Sequence, residues 1–107
     1  MYRASFIKEL IDWIQDNLEK PLSINIVARK SGYSPWHLQR LFKEATGDSL
    51  AKYIRKERLQ NAASDLVNSH RSIADIACQY QFDSHQSFSR AFKKMFAMTP
   101  TSYRKKK

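Results

Sequence analysis

The chain has a single cysteine, Cys78, in 107 residues, so an internal disulfide and a multi-cysteine zinc site are both excluded. One thiol fits a reducing cytoplasm. The longest unbroken apolar run, at residues 95–98, is four residues, far below the roughly 20 that cross a bilayer as a helix. Arg3, Lys8 and Glu9 put charges where a secretory signal needs continuous apolar residues. Two glycines and three prolines leave little punctuation. Acidic residues are also scarce, ten against nineteen Lys and Arg, which leaves a net charge of +9. With 42% hydrophobic and 27% charged residues, the balance is globular rather than disordered. The length reads as one domain, too short for two independently folding cores of ordinary size.

The charge is unevenly placed. Residues 1–22 hold three basic and four acidic side chains, a net of −1, and residues 23–107 hold sixteen and six, a net of +10. A small domain with that excess repels itself, so a polyanionic partner, nucleic acid above all, is its natural explanation.

Apolar spacing predicts an all-α chain. Phe6, Ile7, Leu10, Ile11, Ile14 and Leu18 recur at helical period over residues 5–19, and Lys20-Pro21 ends that helix. Ser23 is an N-cap for a short helix with Ile24, Val27 and Ala28 inward, closed by Gly32 at the position that takes positive φ. Ser34 with Pro35 opens the next, which turns Leu38, Leu41, Phe42 and Ala45 inward. Ser49 caps a helix over residues 50–67 with Leu50, Tyr53, Ile54, Leu59, Ala62, Ala63, Leu66 and Val67 inward. Ser72 and Asp75 form a capping box, Asp83 or Ser84 starts a sixth helix, and a seventh starts near Pro100.

The chain repeats itself. Ile24-x-x-Val27-Ala28 matches Ile73-x-x-Ile76-Ala77 at an offset of 49, and Leu38-x-Arg40-x-Phe42-Lys43 matches Phe88-x-Arg90-x-Phe92-Lys93 at 50. Each unit is a short helix, a turn and a second helix with polar residues outward, which is a helix-turn-helix, present at about 24–45 and again at 73–96. A helix fits the major groove of DNA, where arginine reads guanine and glutamine reads adenine. The early turns of the second helices carry the candidates for base contact: Trp36, Gln39 and Arg40 in the first unit, and His85, Gln86, Ser87, Ser89 and Arg90 in the second. Ser34, Lys43, Arg55, Lys93 and Lys94 are candidates for phosphate contact. A central helix of 18 residues is about 27 Å long, so two reading helices would enter successive major grooves, about 34 Å apart, with any shortfall met by bending the DNA. One chain would then cover an asymmetric site that most helix-turn-helix proteins cover as dimers.

Four stretches carry a resemblance to a known family: Gly32-Tyr33-Ser34-x-Trp36-His37-Leu38-Gln39-Arg40-x-Phe42-Lys43, Thr46-Gly47-x-Ser49-Leu50-x-x-Tyr53-Ile54-Arg55, Phe82-x-Ser84-x-Gln86-x-Phe88-x-Arg90-x-Phe92-Lys93, and Pro100-x-x-Tyr103-Arg104. Over nearly its whole length the chain resembles the DNA-binding domain of AraC/XylS transcription regulators, and within them the MarA/SoxS/Rob group. The resemblance implies a monomeric activator that binds degenerate promoter sites and recruits RNA polymerase through its α C-terminal domain, at genes of multidrug efflux, permeability and oxidative stress. It implies base contacts from Trp36, Gln39 and Arg40, and from Gln86, Ser87 and Arg90, with Ser89 and His85. Members that sense small molecules carry a second domain, whereas here the DNA-binding fold uses all 107 residues, which implies control through abundance rather than a small-molecule ligand unless the chain is cut from something longer; no cofactor is expected. Three departures stand out. Gln81 occupies a turn position where many members have glycine, Pro35 a position where the group usually has lysine, and His85 one where it has glutamine.

Other functions find less support. His37, His70, His85 and Cys78 lack metal-ligand spacing and have no convergent catalytic partners. A membrane surface would need a basic amphipathic helix to accompany the Arg104–Lys107 tail, and residues 1–22 are net acidic. A protein that acts by binding RNA polymerase is compatible with DNA binding.

Overall fold

The computed structural model describes residues 2–106, with side chains from residue 5 onward; Lys107, the end of the basic tail, lies outside the described residues. Among them there are seven helices and no strand: α1 (Tyr2–Asp16), α2 (Ile24–Ser31), α3 (Pro35–Thr46), α4 (Leu50–Asn68), α5 (Ile73–Gln79), α6 (His85–Phe96) and α7 (Pro100–Lys106). The serine caps act as the sequence predicts. Ser23, Ser34, Ser49, Ser72 and Ser84 each accept a hydrogen bond from the backbone N–H three residues on, at 3.0–3.2 Å. Thr99 does the same for Ser102 at the start of α7.

One boundary and one burial differ from expectation. The first helix ends at Asp16, three residues before the predicted end. Asn17 Nδ2 donates to the Trp13 carbonyl at 2.7 Å and its backbone N–H turns to Ile14 O, so the side chain displaces the helical backbone bond. On α3, Ala45 is exposed rather than inward. It sits in the last turn, where a methyl is too short to reach the buried residues; its repeat counterpart on α6, the longer Met95, packs against the second core.

The chain divides into two compact units between Arg55 and Lys56, inside α4. Where the length pointed to one core, the buried residues gather in two. In the first unit, Ile7, Leu10 and Ile14 of α1 meet Val27 and Ala28 of α2, Leu38 and Phe42 of α3, and Leu50 and Ile54 of α4. In the second, Leu59, Ala62, Ala63 and Leu66 of α4 meet Ile76, Ala77 and Tyr80, with Phe88 and Phe92 of α6. Each repeat supplies its own apolar stripe, and burying a large side chain in it contributes about 1.5–3 kcal/mol. The second unit adds long-range polar ties. Arg104 Nε donates to Leu66 O at 2.8 Å and its Nη2 to Arg71 O at 2.5 Å, and Tyr80 donates to Asp65 at 2.7 Å.

Candidate nucleic-acid interface

The two second helices start alike. Pro35 is the first residue of α3 behind the Ser34 cap, and Ser84 caps α6. Each buries one stripe: Leu38, Leu41 and Phe42 on α3, Phe88 and Phe92 on α6. Helical periodicity then dictates which residues face out. On α3 these are Trp36, Gln39, Arg40 and Lys43, all exposed, with Trp36 at 67%. The four border a shallow open hollow of about 360 Å³, together with Glu44. A large apolar ring left in water at the start of a capped helix is an uncommon expense for a monomeric surface, and it sits where a groove-entering helix has its first contact.

On α6, His85, Gln86, Arg90, Lys93 and Lys94 are exposed, while Ser87 and Ser89 are half-buried. Those serines flank the fully buried Phe88 at the edges of the apolar stripe. Arg55 is exposed on α4 rather than on a second helix. Burial pushes the Arg58 guanidinium, also on α4, below its ordinary value, yet such a group starts high enough to stay a cation.

The turns before these helices differ. In the first, Gly32 adopts φ +83° and its N–H closes on Ala28 O at 3.0 Å. In the second, Gln81 takes the left-handed role at φ +68°, while Phe82 N–H reaches back to Ala77 O at 3.0 Å. The departure at position 81 is thus absorbed as a strained non-glycine turn with its closing bonds made.

The repeated arginines differ too. The Arg40 guanidinium lies 5.0 Å over the Trp36 ring, and its Nη2 is 3.6 Å from Glu44 Oε2. Arg90 makes no such contact among the described residues. The residue four past Arg40 is Glu44, and four past Arg90 is Lys94. Glu44 carries no motif of its own, and the spacing of Trp36, Arg40 and Glu44 at successive i,i+4 steps is the signal in the sequence that finds it. Among the described residues no three His, Cys, Asp or Glu side chains gather to hold a metal, and no helix is long and apolar enough to cross a membrane. Cys78 is exposed on α5.

Comparison with known proteins shows the family to which this fold belongs. Residues 27–106 match the family model of a helix-turn-helix domain. The chain is 51% identical over 105 residues to the Right origin-binding protein of Escherichia coli (strain K12), across 98% of this chain and 36% of that protein. It thus spans about a third of the length of that relative. It is 47% identical over 101 residues to the Multiple antibiotic resistance protein MarA of Salmonella typhimurium, across 94% of this chain and 80% of that protein. A solved transcriptional regulator with an AraC-type DNA-binding domain, from Chromobacterium violaceum, superposes with a TM-score of 0.90 at 31% identity, over 96% of this chain and 92% of that one.

Proposed function

The chain belongs to the helix-turn-helix family of AraC-type transcription regulators, in the group of MarA, SoxS and Rob, and from that premise we propose that it binds promoter DNA sequence-specifically as a monomer and activates transcription. In this reading α3 and α6 each enter a major groove. Trp36, Gln39 and Arg40 contact base edges in one half-site, and Gln86, Ser87 and Arg90 in the other, with His85 and Ser89 beside them. Ser34, Lys43, Arg55, Lys93 and Lys94 hold phosphates. The observation that carries the reading is the repeat itself: Arg40 and Arg90 stand exposed at equivalent positions of two N-capped helices. A randomly solvated surface has no reason to repeat an arginine at that place.

Activation through the α C-terminal domain of RNA polymerase, action at stress and multidrug-resistance promoters, and a cytoplasmic, nucleoid-bound location complete the proposal. The resistance role draws on the similarity to the Multiple antibiotic resistance protein MarA. The test is selection of bound sequences from random duplexes at near-physiological salt, followed by sizing of the complex. A single asymmetric motif, with two blocks one helical turn apart and one chain per site, is the expected result. A palindrome bound by two chains would replace the monomer with a dimer. Absence of any enriched motif would favour a protein that binds polymerase, or DNA without sequence readout.

A further inference from the structure

Resting on the reading of α3 as a base-contacting helix, we propose that Glu44 is a specificity-determining residue. It holds Arg40 on the face of Trp36, in the posture that meets a guanine, and it repels phosphates from the same hollow. Arginine has a long, rotamer-rich side chain whose ordering opposes binding, and a guanidinium held before the encounter loses less. Here it is held from two sides, by the Trp36 ring at 5.0 Å and by the Glu44 carboxylate at 3.6 Å from Nη2. At 3.6 Å the pair is an ion pair rather than a hydrogen bond, so Arg40 keeps its N–H donors for a base edge.

The carboxylate has a second effect. Glu44 lines the same hollow as Trp36, Gln39, Arg40 and Lys43, so a phosphate approaching Arg40 meets a negative charge beside it. A neutral base edge meets no such penalty. The second unit lacks this device, because Lys94 stands where Glu44 does and α6 presents Arg90, Lys93 and Lys94 to any duplex. Discrimination therefore concentrates in α3, and sequence-independent attraction in α6.

Both side chains of the pair are more than half or about half exposed, at 59% and 50%, so the expected effect is modest and the fold is not at stake. The experiment compares Glu44→Gln with the parent chain on two duplexes at fixed salt. One is the sequence most enriched from the random pool. The other replaces the G·C pair at which Arg40→Ala loses its preference by A·T. Glu44→Gln is expected to tighten binding to the A·T duplex about three- to tenfold, and to the G·C duplex about twofold or less, so that the preference falls about threefold. Glu44→Ala should act the same way. In an Arg40→Ala background, Glu44→Gln should change both duplexes equally, because the preference runs through Arg40.

An unchanged preference, or a preference that rises because the carboxylate merely competes with DNA for Arg40, overturns the proposal. An equal loss of preference with and without Arg40 overturns it too. A parent chain that distinguishes no base pair at all overturns the DNA-reading function itself, a failure separate from that of Glu44.

Discussion

The two helix-turn-helix units start from one repeat and diverge in what surrounds it. Both bury two consecutive residues in the second turn of a short helix, Val27 and Ala28 and again Ile76 and Ala77, and both bury a phenylalanine at the repeat position held by Phe42 and Phe92. The first turns on a glycine, and the second on a strained glutamine. In the first unit the core aromatic contact at this position is Phe42 against Tyr53, with ring centroids 5.2 Å apart. In the second, Phe92 lies among Phe88, Phe96 and Tyr103 at 5.6, 4.5 and 5.3 Å. Residues 1–55 hold nine basic and six acidic side chains, and residues 56–107 ten and four, so the net charges are +3 and +6. The repeated positions are those that make a helix lie on its neighbours. The unrepeated ones are left to set how firmly, how selectively and how electrostatically each helix works.

That contrast is most strongly tested in the cores. Phe42→Ala and Phe92→Ala should each lower the unfolding free energy by about 3–5 kcal/mol in urea titrations, with Phe92→Ala at the upper end because its ring loses three aromatic neighbours. Equal costs would mean that the extra aromatic contacts in the second unit contribute nothing beyond burial. Next in size are the exposed arginines of α3 and α6. Arg40→Ala and Arg90→Ala should each weaken binding by about 1–3 kcal/mol and relax preference at one base position, in different half-sites. Loss that is uniform over all duplexes would make either arginine a phosphate contact.

The turns offer a reciprocal pair. Gln81→Gly should raise stability by about 0.5–1 kcal/mol, whereas Gly32→Ala should lower it by about 1 kcal/mol. A Cβ at Gly32 would meet nothing within 4 Å, so its cost is all backbone, and thermal unfolding of the two variants isolates the left-handed φ. A fall on Gln81→Gly, or a rise on Gly32→Ala, would show that the corresponding turn is less strained than its φ value requires. Smallest is the charge difference. Lys94→Gln should reduce the log–log salt slope of DNA binding by about one while leaving base preference intact, and a change of preference would place Lys94 at a base edge instead.

Much of this was legible in the residues alone. The serine caps, the seven helices and the repeated apolar stripes follow from interactions within three or four positions along the chain, and so does the outward face of α3 and α6. The early end of α1 was less legible, because it depends on Asn17 preferring the Trp13 carbonyl to helix continuation. Ala97, with φ +64° at the end of α6, was missed because alanine is not a residue that announces a left-handed cap. In the candidate site, the exposed face of α3 and α6 follows from the sequence periodicity. The pairing of Arg40 with Glu44 was present as a spacing, and went unread beside the more familiar arginine and glutamine.

The chain's covalent order therefore accounts for where each helix begins, which side it buries and which side chains it leaves exposed, since periodicity and capping act over a single turn. Folding alone brings Arg104 to the carbonyls of Leu66 and Arg71, the Tyr80 hydroxyl to Asp65, and Phe6 edge-on to Tyr33 at 4.9 Å. These partners lie 15 to 38 residues apart. No local pattern encodes such meetings, because each needs two separate elements to be packed before their side chains can find one another.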